Sequence, residues 1–240
     1  VKFILTNNEA CQPVVDRFVP DFPYLKVFQE IFDYEYYSYT DKAIVYGELL
    51  MLELLHQLGQ NLSTEDANIL VARSGNLEVL KFARQNGVTC NKYTFQEAVE
   101  KGHLHIVTYL HNENIRCELS CTLASQAGQL EILKFLHTHG YKWGTLCTQY
   151  AAEEGHLDCL MYLHEEGCEW DEDAFRCAAE GGHLPVLQYL HAHGAPFEEC
   201  AISSAAAGGH DDCVLFLQEA GYSVANAGKA KKRKPKKKKN

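Results

Sequence analysis

The chain has 240 residues, 46% of them hydrophobic and 22% charged, with a formal net charge of −10. That length fits one or two globular cores or one extended array. No run reaches the roughly 18 unbroken apolar residues of a membrane helix, since the most apolar one, Leu49 to Leu55, is interrupted by Glu53, so a soluble chain is expected.

The opening at Val1 lacks a methionine, and its short apolar run to Leu5 is followed by Thr6, Asn7, Asn8 and Glu9, unlike a secretory signal. It reads as a trimmed or incomplete N-terminus. Phe22, Leu25, Val27 and Phe28 fall one period before Leu49, Leu52, Leu54 and Leu55 of the array described next, which predicts a degenerate N-terminal repeat, although Pro20 and Pro23 fit it poorly. Residues 1–42 are accordingly expected to cap the array. The cluster Phe32, Tyr34, Tyr36, Tyr37 and Tyr39 suits packing over an exposed apolar end better than a ligand platform.

From about Ala43 the chain repeats itself. Glycines recur at 47, 75, 102, 128, 155, 182 and 209, spaced 26 to 28 residues apart. Two residues after each stands Leu, with Asp211 in the last copy; five after stands Leu or Val, and seven after Leu54, Phe82, Tyr109, Phe135, Tyr162, Tyr189 or Phe216. With further apolar residues at four and eight, this is one face of a helix. A second series, Gly59, Gly87, Gly140, Gly167, Gly194 and Gly221 with Asn114 in the remaining copy, follows that helix. Gly and Asn best adopt the left-handed conformation that closes a helix, so these are C-caps.

Before each first glycine lies a small pair such as Ala151 and Ala152 or Ala178 and Ala179, which predicts a preceding helix in close contact with its neighbours. Ser63, Asn91 and Asp171 stand where that helix should be N-capped, and Ser63 with Asp66 has the capping-box spacing. A helix pair of this size cannot bury its apolar faces alone. The fold predicted over residues 43–228 is therefore an all-α helical-repeat solenoid of about seven helix pairs. Asp211 and Asp212, in place of the expected buried Leu, read as its C-terminal cap.

The run from Ala151 to Gly167 resembles the ankyrin repeat, with its scheme A-A-x-x-G-H-x-x-x-V-x-x-L-x-x-x-G, and the likeness recurs from about Ala43 to Gly221. Two departures stand out: a period near 27 where the family has about 33, and Asp173-Ala174-Phe175-Arg176 where the family has T-P-L-H. The missing residues fall at the family's β-hairpin finger, so shortened loops are expected. Finger-trimmed repeats of this kind resemble those of large DNA viruses and some protists. That resemblance also implies weighing an F-box-like segment at Pro23 to Phe32, through Leu25, Ile31 and Phe32, and with it a ubiquitin-ligase substrate receptor.

The resemblance implies a non-enzymatic scaffold that binds another protein on a concave surface. In the family, the two positions between the alanine pair and the glycine touch the partner. Here they are Arg73 and Ser74, Glu100 and Lys101, Gln126 and Ala127, Glu153 and Glu154, Glu180 and Gly181, and Ala207 and Gly208. Glu153, Glu154 and Glu180 would form an acidic patch favouring a basic partner.

Ten cysteines do not imply disulfides, because Cys159 and Cys213 stand where other copies place Val or Ile, and Cys90 and Cys117 share a position with Trp143, Trp170 and Phe197. Core thiols in a reduced, intracellular compartment follow. Most of the twelve histidines are repeat positions: His103, His156, His183 and His210 follow the first glycine, and His56, His111, His137, His164 and His191 follow the second helix's leucine. Successive copies lie roughly 10 Å apart, too far to share a zinc at about 2.0 Å. No metal and no cofactor are expected. The chain also lacks G-x-x-x-x-G-K-[ST], G-x-G-x-x-G after a strand, G-x-S-x-G and H-E-x-x-H, so no catalytic residue is assigned.

Lys229 to Asn240 holds nine of the 22 Lys and Arg and no acid, leaving residues 1–228 with a net −19. Self-repulsion predicts residues 229–240 to be disordered and exposed. Lys231, Lys232, Arg233, Lys234, Lys236, Lys237, Lys238 and Lys239 resemble a nuclear localisation signal read by import machinery. The same charge could hold nucleic-acid phosphates without sequence preference, or serve solubility alone. Nucleus or cytoplasm is expected, and no membrane.

Overall fold

The structure, a computed structural model, describes residues 38–197 and 200–222. The expected N-terminal repeat, the F-box-like segment and the basic segment lie outside the described residues. Among those described there are fourteen α-helices and no strand, and the helices come in seven pairs. The pairs are α1 (Tyr39–Val45) with α2 (Leu49–Gln57), α3 (Ala67–Arg73) with α4 (Leu77–Gln85), α5 (Lys92–Glu100) with α6 (Leu104–Asn112), and α7 (Ser120–Gln126) with α8 (Leu130–Thr138). They continue with α9 (Thr145–Glu153) and α10 (Leu157–Glu165), α11 (Glu172–Glu180) and α12 (Leu184–Ala192), and α13 (Cys200–Ala207) and α14 (Asp211–Glu219). The first pair thus begins at Tyr39, ahead of Ala43.

The described residues divide into two compact units, one of residues 38–98 and 105–116 and the other of residues 99–104, 117–197 and 200–222. In the first, α1 packs on α2 and α3, and α2 on α4. In the second, the first helices of successive pairs form the central row, α7 on α9, α9 on α11 and α11 on α13, with α8, α10, α12 and α14 outside them.

Each second helix has nine residues, and the five between the end pairs bury the positions four, five and eight after the glycine, while Met51 in α2 and Val214 in α14 are only half-buried. Ile132, Leu133 and Leu136 do so in α8, and Cys159, Leu160 and Leu163 in α10. The leucines two after the glycine, which the sequence pattern places in the core, are only half-buried, as are Tyr162 and Tyr189 seven after it. They lie at the edges of the apolar stripe, so Asp211 in the last copy replaces an edge residue, and it stands exposed in the first turn of α14, where a carboxylate suits the helix dipole.

The first helices bury small side chains: Ala151 and Ala152, or Ala178 and Ala179, are inaccessible. That lets the central row pack closely. Phe95 and Phe175 are the largest fully buried side chains.

The turns follow the chemistry of the left-handed region. Gly128 has φ 67°, and the second glycine series keeps positive φ even where it is interrupted, at Asn114, φ 58°. There the Ile115 N–H donates to the Leu110 carbonyl and Asn114 N–H to His111, closing α6. Gly128 has a second reason to lack a side chain, since a Cβ on it would lie 2.6 Å from the His156 ring of the next copy.

The expected N-caps divide. Asn91 Oδ1 accepts from the Tyr93 and Thr94 N–H groups and caps α5. Ser63 caps nothing: its N–H donates to Asn61 Oδ1 in a local turn, and α3 begins only at Ala67. Asp171 precedes α11 but makes no side-chain cap bond, because its Oδ2 accepts from Gln149 Nε2 at 2.8 Å while Oδ1 is buried without a partner. A capping box forms instead at Ser38 and Asp41, ahead of α1.

Candidate functional site

The positions that the resemblance assigns to partner contact all fall at the C-terminal ends of the first helices, as last residue or just beyond it. In the first unit these are Arg73 and half-buried Ser74 on α3. Arg73 is committed by its Nε, 2.8 Å from Glu97 Oε1 of α5. The Ser74 hydroxyl donates to the Val71 carbonyl and accepts from the Asn76 N–H, so it shapes the turn.

In the second unit Glu100, Lys101, Gln126, Glu153, Glu154 and Glu180 are exposed. Glu153 ends α9 and Glu154 follows it; neither enters an ion pair among the described residues. Glu180 ends α11 and meets Arg176 Nη1 at 3.0 Å, while Arg176 also reaches Asp173 at 2.9 Å. These bonds hold the Arg176 guanidinium charged and offset part of the Glu180 charge.

Two assigned positions are fixed by packing. A Cβ on Gly181 would run into the Glu153 backbone carbonyl, and one on Gly208 would lie 3.2 Å from the Glu180 carbonyl. The resemblance assigns both to partner contact, but glycine is there so that one helix end can sit on the last. This contact also stacks the ends of α9, α11 and α13 directly.

Five of the histidines join one copy to the next. His210 Nε2 lies 2.9 Å from the Glu180 carbonyl and His105 Nε2 lies 2.8 Å from the Gly75 carbonyl, so each ties its copy to the one before. On the outer helices, His137, His164 and His191 place Nδ1 2.8, 2.9 and 2.8 Å from the hydroxyls of Tyr162, Tyr189 and Tyr222. His164 also stacks on Trp170 at 4.0 Å and His137 lies against Trp143 at 3.8 Å. Burial, and then nearby His193, push the His164 pKa down. Among the described residues no group of three or more His, Cys, Asp and Glu is placed to hold a metal ion.

The described cysteines are free thiols. Burial, with Cys147 alongside, pushes Cys121 and Cys168 up to about 12, and burial pushes Cys159 up to about 11. Groups so far from ionisation are core filling, not nucleophiles. No helix among the described residues is long and apolar enough to cross a membrane.

Short helices in pairs, a left-handed turn residue after each and one apolar seam per pair define a helical-repeat protein, a class that works by presenting surfaces. Ankyrin repeats are present over residues 121–227: the family model for ankyrin repeats (3 copies) matches residues 121–199 and 148–227. No curated protein matches the chain. Ankyrin repeats typically bind other proteins and are generally non-enzymatic, which suggests a protein-interaction scaffold.

Proposed function

We propose that the chain binds its partner on the helix-end surface of the second unit, through Glu153, Glu154 and Glu180 with Glu100, Lys101 and Gln126 around them, and that the partner presents a basic surface. What supports this reading is that Glu153, Glu154 and Glu180 are exposed at the ends of α9 and α11, and that Gly181, next to Glu180, packs on the Glu153 carbonyl. Arg73 and Ser74 are the corresponding positions of the first unit. Recognition then uses side chains that the core does not need, on a frame that the buried Leu and Ala residues fix.

The test begins with proximity labelling by the intact chain to obtain the partner. Reversal of the three glutamates to lysine should then abolish or redirect binding while the helical signal and unfolding midpoint stay in place. Full affinity in a folded triple variant would exclude this surface.

Nuclear entry is part of the same proposal. Nine basic residues without an acid from Lys229 to Asn240 have the composition that import machinery reads, and the net −19 of residues 1–228 disfavours direct docking of nucleic acid on the array. Fused to an inert fluorescent protein, residues 229–240 should concentrate it in the nucleus; an even distribution would remove the import role. Any nucleic-acid binding should vanish when the segment is deleted and should weaken steeply with salt.

A further inference from the structure

We propose that His164 and His193 form a two-imidazole site for a divalent transition-metal ion such as Zn²⁺ or Ni²⁺, which ties α10 to the turn after α12. Both residues belong to the second unit and to its outer layer, not to the central row.

Equivalent histidines of successive copies are a whole period apart, but these two are not equivalent. His164 stands nine residues after its first glycine, Gly155, and His193 stands eleven after the next, Gly182. The repeat frame brings those two positions into contact. In the first unit they are Arg84 and Glu113, whose Nη1 and Oε2 form an ion pair at 2.6 Å. Opposite His137 the sequence again has a carboxylate, Glu166. Opposite His164 an imidazole replaces it, and the two ring centroids lie 5.1 Å apart with the planes at 73°. Two rings that can carry only positive charge gain nothing as an ion pair; what they share is the capacity to ligate a metal.

Tyr189 holds both rings by their Nδ1 atoms. His193 Nδ1 lies 2.9 Å from the Tyr189 carbonyl, which can only accept, so Nδ1 carries the proton and neutral His193 keeps its lone pair on Nε2. His164 Nδ1 lies 2.9 Å from the Tyr189 hydroxyl, which can accept in the same way. An Nδ1–H held on oxygen, with Nε2 left for the ion, is how proteins orient metal-binding histidines. Neither Nε2 has a hydrogen-bond partner among the described residues. Trp170, stacked on His164 at 4.0 Å, and the Tyr189 ring, 4.1 Å from His193, fix the two ring planes. With metal–nitrogen bonds of about 2.0–2.1 Å and a tetrahedral angle, two imidazoles on one ion have centroids about 5 Å apart. That matches the separation of His164 and His193.

No third protein ligand is gathered among the described residues, so water completes the coordination. Glu165, whose carboxylate acts on His164, adds a field that favours a cation. Imidazole nitrogens select Zn²⁺, Ni²⁺ and Cu²⁺ over Mg²⁺ and Ca²⁺, which take oxygen ligands. Bound there, the ion cross-links two successive copies.

Trp170 reports on the site, because a paramagnetic ion held by His164 quenches the indole stacked on it. The test uses the full chain carrying Trp143→Phe, which leaves Trp170 as its one tryptophan and puts at 143 the residue type found at the same position of a later copy, Phe197. NiCl₂ is titrated at pH 7.5, above the ordinary imidazole range, with MgCl₂ in parallel. The proposal expects saturable quenching by Ni²⁺, reversed by EDTA and absent with Mg²⁺. In His193→Gln and in His164→Gln its midpoint should rise about tenfold or more. His139→Gln is the control, since that exposed ring makes the same bond to a carbonyl four residues back, 2.7 Å from Phe135, and should leave the midpoint in place. Absence of saturation below about 1 mM NiCl₂, the range of non-specific contacts, would overturn the proposal. So would an unchanged midpoint in His193→Gln, a replacement that the exposure of His193 lets the fold tolerate, or an equal rise in His139→Gln.

Discussion

The imidazole Nδ1 of His164 lies 2.9 Å from the Tyr189 hydroxyl, one of three equivalent bonds by which an outer helix holds the next copy. The third bond shows why the hydroxyl matters: the tyrosine position of the last copy is Phe216, which meets His191 edge-on at 5.7 Å, and Tyr222 supplies the oxygen from beyond α14. Tyr189→Phe should then lower stability by about 0.5–1.5 kcal/mol, the usual net contribution of one hydrogen bond. Tyr222→Phe should cost no more, its bond being exposed. Chemical denaturation measures both, and an unchanged midpoint in Tyr189→Phe would mean that ring packing alone joins the copies.

His164 also sets a pH dependence. Its folded pKa is below 6.5, first through burial and then through His193, while Glu165 acts in the opposite direction. The unfolded chain thus takes up a proton near pH 6.5 that the folded chain resists. At pH 8 both states are neutral there, so nothing is lost; as pH falls through 6.5 toward the folded pKa, stability falls. Urea midpoints at pH 8 and pH 5.5 should differ in that direction, and His164→Gln should flatten the difference while losing the Tyr189 bond at both pH values.

Two glycines with nearly the same backbone separate conformational strain from steric fit. Gly128 and Gly140 have φ of 67° and 75°. A Cβ on Gly140 meets nothing within 4 Å, whereas one on Gly128 meets His156 at 2.6 Å. Gly140→Ala should cost about 1–2 kcal/mol from the left-handed conformation alone. Gly128→Ala should cost more, because His156 has to leave its place against the turn. Equal losses on thermal or urea unfolding would mean that His156 moves away freely.

The buried thiols give a chemical check on the core. With pKa values near 12, Cys121 and Cys168 are ionised to about one part in ten thousand at pH 8. They should stay unmodified by iodoacetamide in the native protein and react once urea unfolds it, with Cys159 behaving alike. Native modification of Cys121 at the unfolded rate would contradict its packing.

The repeat frame was legible because its turns can be made by few residues: only Gly, or Asn at 114, adopts the required φ without strain. The caps were less so. Asn91 met its expected role, but Ser63 lost to a local bond from Asn61, and a carboxylate at 171 was reached first by Gln149 of the preceding copy. Spacing cannot foresee either contest, because each is settled by a side chain outside the motif. The helix-end residues were named from the resemblance, yet Gly181 and Gly208 among them serve packing, a distinction that needs the position of the Glu153 and Glu180 carbonyls. The His–Tyr bonds join residues 25 apart in the first two cases, one period less two, and could have been found by aligning the copies.

Core and surface should separate in one experiment on α9 and α10. Leu160 is fully buried in α10, so Leu160→Ala removes contacts that the surrounding helices cannot refill, at a cost of about 2–5 kcal/mol. Glu153 and Glu154 are exposed and form no ion pair among the described residues, so Glu153→Lys and Glu154→Lys should shift stability by less than about 0.5 kcal/mol. The sign for Glu153→Lys should be favourable, since a cation at the end of α9 suits the helix dipole better than the native carboxylate. Glu180→Lys is different, because it strips Arg176 of one of its two partners and places a second cation four residues away in α11; like charges at that spacing repel by a few tenths of a kcal/mol. The dipole gain and the repulsion then oppose each other, so this variant should gain less than Glu153→Lys. Urea midpoints for the single variants test the order, and a loss in Glu153→Lys as large as in Leu160→Ala would show that Glu153 is part of the frame and not of the binding surface.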